Sequence, residues 1–180
     1  TTTTTTAGGG VEQQPVPACA QAPSMDPPEK IDQAAYGGHE AQEREEEHEM
    51  AGDLLWRKVL DHHGRERELY VGEHDLASLD EVKEQWTVMY ERFERALAEV
   101  VARTNSTLPV FAAFAPSETG WRGMNFGRRY AVINIGHART AKAYKWTIVH
   151  ELAHQKGSEH DREFCREFQV IAELVDPSDE

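Results

Sequence analysis

The chain has 180 residues and a net charge of −13, and its length suits one domain of ordinary size with a tail rather than two full domains. No apolar run is long enough to cross a membrane, and the first thirty residues lack the basic start and apolar core of a secretory signal, so we expect a cytoplasmic protein without membrane contact. Only Cys19 and Cys165 are present, which indicates neither a disulfide framework nor a cysteine zinc site.

The acidity is concentrated near the start of the chain. Residues 1–53 hold 11 acidic and two basic side chains, a net charge of −9, whereas residues 54–180 have a net charge of −4. Residues 1–38 are rich in threonine, glycine and proline, and residues 40–49 form an acidic run without an apolar face. Such segments cannot bury enough surface to offset their ordering entropy. We therefore predict a disordered tail over residues 1–49 and a folded domain over residues 50–176, with order beginning near Met50.

A long helix dominates the first half of the predicted domain. A short apolar stripe at residues 54–60 precedes a possible strand at residues 68–72. Apolar side chains then recur every three or four residues from position 79 to 103, which predicts a core helix. Ser78 and Glu81 fit a capping box at the start of this helix.

Two strands and a helix follow in the chain. Residues 108–114 and residues 130–135 have the composition of buried strands, and residues 116–120 have that of a loop. Thr140 can cap the next helix, which is expected to end at Gly157.

The last predicted element is an amphipathic helix. Ser158, with Asp161 three residues later, can start it. The face that packs on the core would carry Phe164, Phe168, Ile171 and Ala172.

Residues 150–160, HELAHQKGSEH, are the most informative segment. Residues four apart on a helix share a face, so His150 and His154 can direct both imidazoles to one ion. Glu151 lies close enough to take a proton from a water molecule that the metal activates, without binding the metal itself. The spacing is typical of a zinc hydrolase with Glu151 as the general base.

A catalytic zinc usually has three protein ligands and keeps a fourth position open for water. His160 can supply the third ligand if the chain turns sharply after His154. Gly157 favours such a turn because glycine adopts the left-handed conformation at low steric cost. We therefore predict a Zn²⁺ site formed by His150, His154 and His160 at the junction of two packed helices, which would hold the ligands in fixed geometry.

The order of a long helix, two strands and an HExxH helix resembles that of the zincin metallopeptidases over residues 76–175. Within the zincins, HELAH followed by His160, Asp161 and Phe164 resembles the compact intracellular group that includes the SprT-like, WLM and YgjP-like proteins. The resemblance implies an α+β fold: a small zincin-like domain with a long core helix, a short sheet, the HExxH helix and a C-terminal helix. It also implies the same site residues: His150, His154 and His160 as ligands and Glu151 as general base.

Two other zincin groups remain alternatives. The metzincin consensus HExxHxxGxxH matches, including Gly157, although no methionine follows His160 to form the methionine turn of that group. In the thermolysin-like gluzincins a glutamate on a later helix is the third ligand, and Glu173 has nearly their spacing from His154. The SprT-like proteins often add a cysteine zinc ribbon, which this chain lacks.

The activity implied by the resemblance is zinc-dependent hydrolysis of a peptide bond in a protein or peptide substrate. The strand at residues 130–135 is expected to pair with an extended substrate along its edge. The transition-state oxyanion needs a further donor, and the candidates are Tyr130, Tyr144, His137 and Arg139. The competing class is a non-catalytic zincin-like module for metal binding or recognition. Glu151 favours the enzyme, because a structural zinc site has no need of it.

A basic stretch at residues 121–145 lies within a region without acidic side chains, from Thr119 to His150. A positive field near the site could attract an acidic partner or nucleic acid, with Trp121 and Phe126 available for stacking. The alternative is an ordinary surface whose basic side chains pair with acids elsewhere. The basic side chains are Arg122, Arg128, Arg129, Arg139, Lys142 and Lys145.

Overall fold

A β-hairpin begins the long described segment of the chain. In the computed structural model, which describes residues 26–31, 54–115, 121–137, 140–156 and 160–175, strand β1 (Leu54–Leu60) pairs antiparallel with strand β2 (Glu66–Gly72). The apolar stripe is therefore a strand, and the strand predicted at residues 68–72 is confirmed with two more residues at its start. Met50, where order was expected to begin, lies outside the described residues.

The predicted long helix is present but is broken near its start. A 3-10 turn (Glu73–Asp75) is followed by helix α1 (Leu76–Glu81). Val82 separates α1 from helix α2 (Lys83–Thr104). The predicted capping box at Ser78 is wrong: α1 has already begun, and neither helix has a hydrogen bond from a capping side chain. The apolar repeat continues across the break because both helices pack on one core.

Three further strands complete the sheet: β3 (Val110–Phe114), β4 (Gly123–Phe126) and β5 (Tyr130–Asn134). The strand order is β1-β2-β3-β5-β4. Strand β3 lies parallel to β2 and to β5, whereas β4 pairs antiparallel with β5. The two predicted strands of this region are confirmed to within two residues. Strand β4 is not among the predicted elements, and it places β5 inside the sheet. The predicted loop at residues 116–120 lies outside the described residues.

The helices share one apolar core with one face of the sheet. Helix α3 (Ala141–Ala153) contacts both α2 and α4 (Arg162–Val175). Alternate residues of the strands point toward these helices, as period-two geometry requires, and form one buried core with them. The described residues thus form a mixed α+β fold of four helices and a five-stranded sheet, as predicted at that level. None of these helices is long and apolar enough to span a membrane.

The other face of the sheet is covered in part by residues 26–31. Ile31 is 3% exposed and belongs to a second apolar cluster with Leu54, Tyr70 and Phe111. The Trp56 N–H donates to the Glu29 carbonyl at 2.8 Å, and the Tyr70 hydroxyl donates to the Pro28 carbonyl at 2.6 Å. Within the predicted tail, main-chain acceptors of this segment thus bond to the sheet.

Candidate metal centre

Helix α3 carries the first two histidines of the motif to one end of the helical layer. The Thr140 hydroxyl accepts a hydrogen bond from Ala143 N at 3.1 Å, which confirms the predicted N-cap. The helix ends at Ala153, and His154 is its C-terminal cap residue. The prediction that this helix runs to Gly157 is therefore wrong, because it ends at Ala153. Gly157 itself and Ser158, the predicted start of the next helix, lie outside the described residues.

Three imidazoles converge at this point. The candidate ligand atoms of His150, His154 and His160 all lie within 4.8 Å of one another, and the Nε2 atoms of His150 and His160 are 3.1 Å apart. His154 is buried, His150 is half-buried and His160 is exposed, so the cluster lies at the protein surface with one side open to solvent. The structure therefore brings together all three predicted ligands.

The donor set fits a zinc ion. Tetrahedral zinc with Zn–N bonds of about 2.0–2.1 Å requires ligand nitrogens about 3.3 Å apart, close to the separation of the His150 and His160 nitrogens. Among the described residues the group has three members, the number of protein ligands that a catalytic zinc ion usually has. Catalytic zinc sites have this composition, whereas structural sites usually close with a fourth protein ligand.

Helix α4 contributes an aromatic ring that contacts all three imidazoles. The Phe164 ring centroid lies 5.0 Å from that of His150, 4.6 Å from that of His154 and 4.8 Å from that of His160. The Asp161 carboxylate accepts a hydrogen bond from Phe164 N at 2.9 Å and so caps the first turn of α4. Packing against Phe164 restricts the imidazole rotamers before any metal binds.

Glu151 is 4% exposed and faces strand β4. Its carbonyl accepts a hydrogen bond from the Asn125 side-chain amide at 2.9 Å. This acceptor is available because Gln155 N, the usual i+4 donor, bonds instead to the Leu152 carbonyl. The sequence did not indicate Asn125 as a site residue, since the contact joins two elements 26 residues apart.

The alternative third ligand, Glu173, is not part of the cluster. It lies on the exposed side of α4 and accepts a hydrogen bond from Gln169 Nε2 at 3.2 Å. The gluzincin arrangement therefore has no geometric support among the described residues, whereas His160 lies beside the other two histidines.

The candidate oxyanion donors are not equally placed. Tyr130 lies in the apolar cluster on the sheet face opposite the helices, and the buried Tyr144 hydroxyl already donates to the Ile135 carbonyl at 2.6 Å. Burial and the nearby charge of Arg122 lower the pKa of His137, so its imidazole is neutral at pH 7 and has one N–H to donate. Arg139 lies outside the described residues.

The basic stretch does not form one continuous surface. Lys145 is buried and forms an ion pair with Glu99 at 2.8 Å. This pairing with an acid elsewhere in the chain agrees with the alternative to a binding surface. Trp121 is 2% exposed and Phe126 is fully buried, so the prediction that they stack on bases is wrong: both pack in the cluster behind the sheet. Arg122, Arg128, Arg129 and Lys142 are exposed.

A cleft of about 590 Å³ leads away from the centre along helix α3. His150 and Glu151 line the part of the cleft beside the histidine cluster, which we call its inner end. The lining also includes Thr147, Trp146 and Phe168, and two exposed basic residues, Arg122 and Lys142. Trp146 and Lys142 lie about one and two helical turns before His150 on α3, so the cleft runs along this helix.

Comparisons of the chain with protein-family models, with curated proteins and with solved structures returned no match.

Proposed function

We propose that the protein is a zinc-dependent metallopeptidase of the zincin type. The observation that carries the proposal is the convergence of three imidazoles beside a buried glutamate at the inner end of an open cleft. A purely structural zinc site would require neither the glutamate nor the cleft.

The chemistry divides between the metal and the chain. A zinc ion, when bound, lowers the pKa of a coordinated water and polarises the scissile carbonyl. His150, His154 and His160 hold the ion, and Phe164 restricts their rings. Glu151 takes the proton from the attacking water and delivers it to the leaving amine.

Strand β4, rather than β5, is the edge along which an extended substrate would bind. Strand β5 has neighbours on both sides, whereas β4 is the last strand of the sheet. Gly123 of β4 lies against Thr147 and Glu151, so this strand, which has one partner strand among the described residues, runs beside the general base. A peptide that adds to this edge would bring its backbone carbonyls to the histidine cluster.

Metal content and hydrolysis together test the proposal. Protein purified without chelating resin should contain one zinc per chain, which His154→Ala loses and Glu151→Gln retains. Hydrolysis of unstructured peptides, followed by mass spectrometry, should fall about 100- to 10,000-fold in Glu151→Gln. The exposed His74→Ala is the matched control and should change neither result.

The competing hypothesis, a non-catalytic module for metal binding or recognition, makes a different prediction for the same variants. It expects no hydrolysis above that of Glu151→Gln, with or without bound zinc. A chain that takes up no zinc at all would contradict the enzyme and leave a recognition module without metal. Chelation should also lower the Tm of the wild type but not of His154→Ala, because the ion would link α3 to His160, two residues before α4.

A further inference from the structure

The cleft beside the histidine cluster combines two kinds of surface. One wall is aromatic: the rings of Trp146 and Phe168 stack with centroids 5.6 Å apart and an interplanar angle of 15°. Trp146 is 37% exposed, although it belongs to a residue class that is usually well buried. An exposed aromatic wall inside a cleft favours an apolar side chain as its occupant.

The same cleft is cationic. Arg122 and Lys142 are exposed, and neither forms an ion pair with any acid that the structure describes. Lys145 differs from them because Glu99 neutralises it in the interior. The chain as a whole has a net charge of −13, so the cleft has the opposite sign to the molecule. Unpaired cations in a concave surface raise the local concentration of anionic ligands.

The spacing of residues along α3 gives the distances of the aromatic wall and of Lys142 from the scissile bond. Trp146 lies one helical turn from His150, about 6 Å along the axis, whereas Lys142 lies about 13 Å from Glu151. An extended peptide advances about 3.3 Å per residue. The aromatic wall therefore corresponds to about the second substrate position from the scissile bond, and Lys142 to about the fourth.

We propose that the cleft selects acidic peptides, with an apolar side chain about two positions from the scissile bond against Trp146 and carboxylates further out against Arg122 and Lys142. The assignment rests on the metallopeptidase function proposed above. A peptide fits better than a nucleic acid, because Trp121 and Phe126 are buried and the inner end of the cleft contains the Glu151 carboxylate.

Binding can be measured apart from catalysis in zinc-loaded Glu151→Gln. The probes are two labelled, blocked peptides with a central phenylalanine, one with glutamates and the other with lysines about two positions away on both sides. Fluorescence anisotropy should give about tenfold tighter binding of the acidic peptide. The double variant Arg122→Glu/Lys142→Glu, made in the same Glu151→Gln protein, should abolish or reverse that preference.

The matched control reverses two exposed arginines elsewhere, Arg95→Glu/Arg166→Glu, and alters the net charge equally. It should keep the preference. Equal binding of the two peptides, an unchanged preference in the cleft variant, or stronger competition by a single-stranded oligonucleotide than by the acidic peptide would overturn the inference. Selective binding without hydrolysis by the wild type would support the cleft assignment and overturn the proposed enzyme.

Discussion

Two residues of strand β4 set the distance between the sheet edge and the helix that carries Glu151. A Cβ at Gly123 would lie 2.9 Å from Thr147 Cγ2 and 3.3 Å from Glu151 Cγ, so only glycine permits this approach. Asn125 then bonds to the Glu151 carbonyl from the same strand. The position of the general base thus depends on close packing as well as on the HExxH motif.

Gly123→Ala tests this dependence. The added methyl group must displace Thr147 or the Glu151 side chain, so kcat/KM for peptide hydrolysis should fall about 10- to 100-fold. Zinc content should not change, because the contacts of the new Cβ do not include a histidine. Both quantities are measurable on the same preparation.

A second substitution distinguishes a local clash from general damage. Thr147→Ser removes the nearest atom, Cγ2, but retains a hydroxyl that can donate to the Ala143 carbonyl. Adding it to Gly123→Ala should recover part of the lost activity. Full activity of Gly123→Ala alone would show that the tight contact does not position the base.

At this scale the sequence predicted the residues that share a local pattern. His150, Glu151 and His154 follow from helical spacing, and His160 follows from the ligand number that zinc requires. Gly123 and Asn125 could not be found in this way, because they act through tertiary contacts with a helix about 25 residues later. Trp121 and Phe126 illustrate the reverse error, since exposure cannot be read from residue type alone.

Among the elements, the β1–β2 hairpin depends on one buried carboxylate. Asp61 accepts hydrogen bonds from His63 N at 2.8 Å, from Arg65 N at 2.9 Å and from Arg67 Nε at 3.0 Å. Burial acts to raise the pKa of Asp61, but these hydrogen bonds and the Arg67 charge outweigh it and lower the pKa below the ordinary value of 3.8. The ionised form is therefore the one that stabilises the turn.

Asp61→Asn should destabilise the protein in a pH-dependent way. The amide loses charge-assisted hydrogen bonds, so the free energy of unfolding at pH 7 should fall by about 2 kcal/mol. Because the folded-state pKa is lowered, the contribution is complete above the unfolded pKa and is lost as the pH falls through the folded value. The difference between wild type and variant should shrink below about pH 4.

Urea unfolding at a series of pH values measures this difference. The control is Asp80→Asn, whose side chain is 75% exposed and pairs with Lys83 on the surface. It should change stability by less than about 1 kcal/mol at any pH. A constant gap between wild type and Asp61→Asn down to pH 2 would contradict the assigned role.

The elements that the sequence missed are those without a local signal of their own. Strand β4 is four residues long and contains a glycine and an asparagine, so its composition is that of a turn. The apolar residues of α1 and α2 lie on the same side despite the break at Val82. Because their spacing of three or four residues continues across the break, the sequence pattern predicts one helix. Long periodic elements such as α2 and α4 were predictable, because their apolar faces recur over several turns.

On the scale of the whole molecule, the sheet separates two apolar layers. The helices and the histidine cluster lie on one face, and residues 26–31 cover part of the other. The segment was not predicted to be ordered, because Ile31 is its single large apolar residue and its other contacts use backbone carbonyls, which every residue has. Composition therefore cannot distinguish such an anchor from a tail.

This separation predicts that substitutions in the apolar layer beneath residues 26–31 lower stability and leave the rate of peptide hydrolysis unchanged. Ile31→Ala removes a buried side chain from the second cluster and should lower the free energy of unfolding by about 2–4 kcal/mol. The neighbouring Lys30→Ala, exposed in the same segment, should have little effect. At temperatures where both variants remain folded, kcat/KM per bound zinc should equal that of the wild type.

Two results would contradict this prediction. If Ile31→Ala were as stable as Lys30→Ala, residues 26–31 would be a superficial contact. If Ile31→Ala lost activity while folded, the two apolar layers would be coupled through the sheet.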